Sequence, residues 1–296
     1  MSHPKISGFT FIKNGISLGY PIAESIQCLE PLCDEIIINI GFDDPELKND
    51  DGTEAYLKKT FTGSKFKFLK SWWDPALTSQ GLILSQQTNI ALKECQGDIC
   101  QYIQGDECIH EDDYEKIKQG YLDLHENPVQ DGLVFSYIHF YGNVDAYLHT
   151  RRIYKREVRA IKNRPEIYSH LDAQGFRLQG DKKLKCTQID AKIFHYGWAR
   201  AEKVMARKIK VMDKLYHGKD FEKNDYFGYK KIWGIKKFQY THPQVMHEWI
   251  ESNRNQLDIH SLPLDFQLKD TSLAVSDFIE FITGYRVGEY KNFVLL

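Results

Sequence analysis

Residues 34–40, DEIIINI, constrain the fold more than any other stretch of the chain. The run is apolar from Ile36 to Ile40, apart from Asn39, and it does not alternate. A strand of this kind has no polar face to give to water. It belongs in a sheet covered on both sides, as parallel sheets are. The residues ahead of it complete a strand–helix–strand unit. Residues 6–12 (ISGFTFI) carry the β-branched and aromatic side chains of a strand, and Lys13-Asn14-Gly15 turns it. Within residues 21–32, Ile22, Ile26 and Leu29 share one helical face behind a proline suited to a first turn. Units of this type bind ligands beyond the carboxyl ends of their strands, so chemistry is expected in the segments that follow each strand.

The alternation continues. The loop after the second strand carries Asp43, Asp44, Asp50 and Asp51, with Asp51-Gly52-Thr53 as a turn and helix start. A third strand is expected at residues 66–69, and an aromatic turn at Trp72, Trp73 and Asp74-Pro75. A helix follows at residues 79–94, with polar Gln86, Gln87 and Asn89 among its apolar positions. The fourth strand is built on Ile99, Tyr102 and Ile103 and ends in Asp106 and Glu107, with Glu111, Asp112 and Asp113 close behind. Carboxylates crowded at the end of a buried strand repel one another, and a divalent cation with oxygen ligands would relieve that repulsion. The plainer alternative is a solvated loop running into the acidic first turn of a helix.

The second half is less regular. Residues 132–141 and 186–194 read as strands, the latter running into His195-Tyr196-Gly197-Trp198. Residues 151–159 are basic and interleaved with apolar side chains, residues 200–217 form a basic helix, and an aromatic segment at 226–240 precedes an amphipathic stretch after Pro243. The expected class is α/β: a mixed, mainly parallel sheet with helices on both faces, over residues 1–217, with residues 218–296 as a mostly helical extension packed on it.

At 296 residues the chain can bury a sizeable core, and a net charge of -2 gives no overall drive toward nucleic acid. None of the six cysteines forms a CxxC pair, which suits thiols in a reducing compartment. The start of the chain lacks an apolar signal core, and no run approaches the roughly 18 apolar residues of a membrane span. These features lead to the expectation of a cytoplasmic protein, with at most peripheral contact at the inner face of a membrane.

Residues 1–115 resemble family 2 glycosyltransferases of the GT-A type. ISGFTFIKNG stands at that family's first strand and turn, CDEIIINIG at its second strand, and DDGT at the end of its acidic loop. QQTNIALKECQGDICQYIQGDECIHEDD resembles the stretch from an Asn-bearing helix, through Gly-Asp, into the metal-binding DxD strand end. Further on, IFHYGW resembles the segment whose His completes metal binding in many such enzymes. One departure stands out: Gln104 occupies the place of the first Asp of DxD, Asp106 that of the second, and Glu107 is an added carboxylate.

The resemblance implies a Rossmann-like GT-A fold and a donor sugar carried on UDP or GDP. It implies a glycan or glycolipid acceptor, as in polysaccharide biosynthesis. It also implies Mn2+ or Mg2+ to stabilise the leaving diphosphate. Asp106, Glu107 and His195 are then the metal-ligand candidates, although a His between Phe194 and Tyr196 is equally at home in a core. Thr10, Lys13, Asn14, Asp43, Asp44, Asn89, Asp98 and Gln104 are the donor-binding candidates. Asp43 and Asp44 have a solvated loop as their alternative, Lys13 a solvent-facing strand end, and Asp98 a cap on the turn before its strand. An inverting transfer needs a general base from the second half of the chain. Asp172 is the candidate, with His170 nearby and Asp145 and Glu157 as competitors. The basic stretches 151–164 and 203–214 suit an anionic acceptor or a solvated helix face. Trp72, Trp73 and Trp198 suit sugar stacking or core filling. Two other functions fit the same residues. One is nucleotidyl transfer, for which GFTFIKNG is a poor phosphate loop. The other is a non-catalytic nucleotide-sugar-binding or partner-docking protein, which Gln104 favours.

Overall fold

The computed structural model describes residues 3–77, 80–217 and 226–296. The chain begins with β1 (Ile6–Ile12), α1 (Ile22–Gln27), β2 (Glu35–Phe42), α2 (Thr53–Thr60), β3 (Phe66–Trp72), α3 (Leu82–Leu92) and β4 (Ile99–Tyr102). It continues with β5 (Glu107–Ile109), α4 (Tyr114–Glu126), β6 (Gly132–Tyr141), β7 (Asn143–Leu148), β8 (Arg156–Lys162), β9 (Ile167–His170), β10 (Gly175–Leu178) and β11 (Lys182–Trp198). The last elements are α5 (Glu202–His217), β12 (Ile235–Lys237), α6 (His247–Asn253), α7 (Thr271–Thr283) and β13 (Phe293–Leu295). Ser79, expected to open the third helix, and the first residues of the expected extension, 218–225, lie outside the described residues.

The main sheet runs β3-β2-β1-β4-β8-β6-β11. β1 pairs in parallel with β2 and β4, β2 with β3, and β6 with β11, while β8 enters antiparallel between β4 and β6. This is the mixed, mainly parallel sheet that the apolar run of β2 requires. Ile36, Ile38 and Ile40 enter one core with Ile22 and Ile26 of α1, and Ile37 enters another with Ala91 and Leu92 of α3. Burial on both faces is the physical reason for the missing alternation.

Asn39 is the polar exception in that run, and it faces α3. Its Nδ2 donates to the Gln87 carbonyl at 3.0 Å and to Gln87 Oε1 at 3.1 Å, while Ser71 Oγ of β3 donates to Asn39 Oδ1 at 2.8 Å. Gln87 Nε2 in turn donates to the Trp72 carbonyl at 3.1 Å. A fully buried polar network therefore staples α3 to β2 and β3, and Gln87 is part of the interior. Elsewhere the sequence expectation differs in detail. α1 ends at Gln27, with residues 28–32 in turns. The basic stretch from 151 is not a helix face. Part of it is β8, an interior strand in which Val158, Arg159, Ala160 and Ile161 are buried.

Residues 226–296 are woven into the same sheet, because β12 pairs with β7 and β13 with β11. Apart from α6 and α7, much of this segment is irregular. An aromatic cluster anchors it: His242 lies 4.8 Å from the Phe238 ring and 5.0 Å from Phe140, and its Nδ1 is 2.9 Å from the Tyr196 hydroxyl. No helix among the described residues is long and apolar enough to cross a membrane.

Two outcomes are expected. Asn39→Ala strands the buried partners Ser71 and Gln87, and should cost about 1–3 kcal/mol in urea unfolding. Burial pushes the His242 imidazole down to about 4, whereas an unfolded histidine titrates near ~6.5. Between those values the unfolded chain binds the extra proton, so the folded state loses stability as pH falls through this window. The slope of unfolding free energy against pH there should shrink in His242→Gln, and an unchanged slope would refute the assignment.

Candidate active site

A cavity of about 520 Å³ opens at the carboxyl ends of β1 and β4. This is the switch point of the sheet: from β1 the order runs toward β2 and β3, and from β4 toward β6 and β11. Lys13 and Asn14 enter its wall after β1, and Gln104, Gly105 and Asp106 after β4. Asp172 and Gln174 come from the β9–β10 turn, His195 and Trp198 from the end of β11, and Lys208, Met212 and Tyr216 from α5, with Tyr20, Trp73 and Tyr154 as further aromatic wall.

The acidic loop after β2 builds the β1 side. Thr53 Oγ1 accepts from the Gly15 amide at 3.0 Å, and Asp51 Oδ2 accepts from the Ser17 amide at 2.7 Å. Burial works to raise the Asp51 carboxyl, but hydrogen bonds from Thr53 and Ser17 outweigh it and hold it low. Asp-Gly-Thr is thus a clamp on the turn after β1, where Asn14 takes a left-handed φ of 54°. Lys13 lies 5.0 Å from the Trp73 ring and pairs with Asp43 at 2.6 Å. Trp73 reaches this position across Gly41, where a Cβ would come within 2.2 Å of the indole Nε1.

At the end of β4, Asp106 is buried. Lys208 Nζ donates to its Oδ2 at 3.0 Å and to the Gly197 carbonyl at 2.9 Å, and His195 Nε2 lies 3.6 Å from the same Oδ2. Burial pushes the Asp106 carboxyl up, but Lys208, His195 and Arg200 together hold it well below the usual carboxylate range. Gly197 makes the meeting possible, since a Cβ there would stand 2.6 Å from both Asp106 Oδ2 and His195 Nε2.

His195 is placed by register, opposite His139 on the parallel neighbour β6. His139 Nε2 is 2.8 Å from the Tyr154 carbonyl, which can only accept, so that nitrogen carries the proton. His139 Nδ1 is then an acceptor, and His195 Nδ1 donates to it at 3.0 Å. The hydrogen-bond network thereby assigns a proton to His195 Nδ1 and leaves its Nε2 toward Asp106. Burial, helped by the neighbouring His195, holds His139 well below the usual imidazole range and keeps it neutral.

Glu107 is withdrawn from this cluster. It is fully buried, with Arg159 Nη2 donating to Oε1 at 2.8 Å and Nε to Oε2 at 3.0 Å. Tyr137 Oη adds a bond to Oε1 at 2.8 Å and the Gln104 amide one to Oε2 at 3.1 Å. A carboxylate committed to a bidentate guanidinium has no free oxygen for a metal. The two expected ligands that do meet, Asp106 and His195, share one oxygen edge with the Lys208 ammonium. Among the described residues no three His, Cys, Asp or Glu side chains group as a metal site. The residues as folded do not fit Mn2+ or Mg2+.

Five expected donor-binding residues, Thr10, Asp43, Asp44, Asn89 and Asp98, are not in the cavity wall. Thr10 is buried within β1. Asp44 folds back on its own loop and accepts from the amides of Asn49 and Lys48 at 2.7 and 3.2 Å; those bonds lower its carboxyl. Asn89 exchanges hydrogen bonds with the backbone of Ser169, at 3.0 and 2.7 Å, tying α3 to β9. Asp98 precedes β4 at the opposite end of the sheet and accepts from the Lys5 amide at 2.8 Å. Asp43 reaches the cavity only through Lys13. Among the rival bases, Glu157 is bonded to Asn292 and Gln174, and Asp145 pairs with Arg254. Asp172 borders the cavity, its Oδ1 accepting from the Gln174 amide at 3.2 Å. Lys208, His139, Arg159, Tyr154 and Gln174 were missed by the sequence expectation. For Lys208 a signal existed: it falls on the same face of α5 as Met205 and Met212, an apolar stripe where a lysine is out of place.

Removing one partner of the Glu107–Arg159 pair should be severe. Arg159→Met should cost about 3–5 kcal/mol in urea unfolding, because it leaves a buried carboxylate uncompensated. The double variant Glu107→Gln/Arg159→Met should recover part of that loss.

No protein-family model and no curated protein matches the chain. Among solved structures, S. aureus TarS 1–349 in complex with UDP aligns at a TM-score of 0.38 and 12% identity, over 74% of this chain and 67% of that one. A second structure of TarS 1–349 aligns at 0.36 and 11%, with the same coverage of 74% and 67%. The mannosyltransferase PcManGT from Pyrobaculum calidifontis, in complex with GDP-Man and Mn2+, aligns at 0.33 and 14%, over 47% of this chain and 37% of that one.

Proposed function

We propose that the chain is a glycosyltransferase that moves a sugar, with inversion, from a nucleoside-diphosphate donor to a glycan or glycolipid acceptor. One observation carries the reading. A single cavity at the switch point joins an aromatic compartment at the end of β1 to a charged cluster at the end of β4. These are the two halves of a nucleotide sugar in chemical terms. Trp73 and the neighbouring Phe11, with ring centroids 5.8 Å apart and planes inclined at 49°, offer apolar aromatic wall to a base, and the Lys13–Asp43 pair offers polar atoms to its edge. The diphosphate then falls on the Asp106–Lys208–His195 cluster.

The chemistry follows from the charges. Breaking the bond between the sugar and the diphosphate leaves negative charge on the leaving group. Cations fixed beforehand in a water-poor site stabilise that charge without reorganising. Asp172 acts as the general base, taking the proton of the acceptor hydroxyl as its oxygen bonds the anomeric carbon. No step is assigned to a divalent ion, because the donor set does not fit one. A second reading, donor binding without transfer, is favoured by Gln104. Its amide Nε2 reaches Tyr102 Oη and the Ala173 carbonyl, each at 3.4 Å, and so bridges the end of β4 to the β9–β10 turn as a structural link.

A thermal-shift screen of UDP- and GDP-linked sugars tests both readings. A true donor raises Tm by mass action. Asp172→Asn should keep that rise and lower transfer by about 10²–10⁴-fold. No Tm rise with any donor, or full transfer activity in Asp172→Asn, would sink the proposal. A Tm rise without transfer or donor hydrolysis would favour the binding protein.

A further inference from the structure

We infer that Lys208 stands in for the divalent cation, so that the diphosphate is received by protein cations alone. The inference rests on the nucleotide-sugar reading and deepens it. Four observations converge. First, the ammonium of Lys208 is hydrogen-bonded to the Asp106 oxygen that His195 also faces, at 3.0 Å against 3.6 Å. An ion bridging Asp106 and His195 would need ligand distances near ~2.0–2.1 Å, and it would have to take an oxygen already bonded to this ammonium. Second, Lys208 is not a surface lysine resting there. It is 8% exposed, fixed also by the Gly197 carbonyl, and its ammonium lies 5.2 Å from the Tyr20 ring. Third, the other carboxylate at this strand end, Glu107, is taken by Arg159, and the position two residues before Asp106 is the neutral amide Gln104.

Fourth, the charge balance immediately around Asp106, with Asp172 and Asp213 elsewhere in the cavity wall, has the sign for an anion. Arg200 stacks on the same Tyr20 ring at 4.4 Å, and among the described residues its guanidinium donates to neutral carbonyls, those of Leu18 and Gly197. Two cations therefore surround one carboxylate. A site for a hard divalent cation needs the reverse, an excess of anionic oxygen. An ammonium has three N–H donors. Two go to Asp106 and Gly197, which leaves one to give, and Lys208 lines the cavity.

Calorimetric titration of the full chain tests this with inorganic pyrophosphate, UDP and GDP, each in EDTA and in Mn2+. Pyrophosphate should bind with about equal affinity in both. Lys208→Met should weaken it about tenfold or more, the scale of one hydrogen bond to a charged group. Because Lys208→Met takes the ammonium away from a buried carboxylate, Lys208→Met/Asp106→Asn serves as a second variant in which that carboxylate is also neutral, and it should show the same loss. Pyrophosphate binding that requires Mn2+, binding undiminished in both variants, or no pyrophosphate binding at all overturns the inference. Should pyrophosphate behave as expected while UDP and GDP fail to bind, the nucleotide reading falls and the metal-free diphosphate site stands.

Discussion

One buried guanidinium organises the site. Arg159 lies between the rings of Tyr102 and Tyr137, its Cζ 5.1 Å from each centroid. Besides its two bonds to Glu107, Nη1 donates to the carbonyls of Val158 and Gln174 at 3.0 and 2.9 Å. One side chain of β8 thus ties together the end of β4, the neighbouring strand β6 and the β9–β10 turn that carries Asp172. Burying two opposite charges gains little net stability, since desolvation offsets most of their attraction. What the pair gives is position, because any arrangement that separates the partners leaves a bare charge in the core.

The pair also explains how two adjacent carboxylates come to different ends. Gly105 and Asp106 form a turn closed by the Glu107 amide, which donates to the Gln104 carbonyl at 3.0 Å. Glu107, the first residue of β5, points inward to Arg159, while Asp106 in the turn faces the cavity, where Lys208 and His195 meet it. Gln104, whose backbone amide also bonds Glu107, is held on the same rim. A reading that pools Asp106 and Glu107 as two ligands for one ion misses this division. The division is set by a residue 52 positions away.

What was legible in the sequence, and what was not, divides along the same line. β1 and β6 run over the residues that their side-chain patterns indicate, and β2 declares its double burial through an unbroken apolar run. Local pattern and strand geometry together were enough to place Lys13, Asn14, Gln104, Asp106 and His195 at strand ends, and the structure gathers them into one cavity. Partners were not legible. Asn89 meets Ser169 across 80 positions and Asp106 meets Lys208 across 102. The former settles a polar helix residue as a structural tie, and the latter settles what kind of charge faces the cavity. Arg159, in a basic stretch that suggests a solvated helix face, sits on an interior strand because Glu107 supplies its counter-charge.

Asp106 has a role in this arrangement even with no ion to bind. Burial alone favours the neutral form of a lysine and of a carboxylic acid alike. Set 3.0 Å apart, each supplies the counter-charge that the other lacks, and the ammonium is held oriented at the cavity edge. The pair is neutral in sum, and Arg200 is a further cation close enough to help lower the Asp106 carboxyl. A guanidinium does not give up its proton inside a protein, and among the described residues this one is fixed by hydrogen bonds to backbone carbonyls. An anion entering the cavity would find a donor already aimed by Asp106 and a further cation nearby. That separates direction, set by the Asp106–Lys208 pair, from net charge, to which Arg200 contributes, and a neutral pair aims its donor without cancelling the field of the arginine.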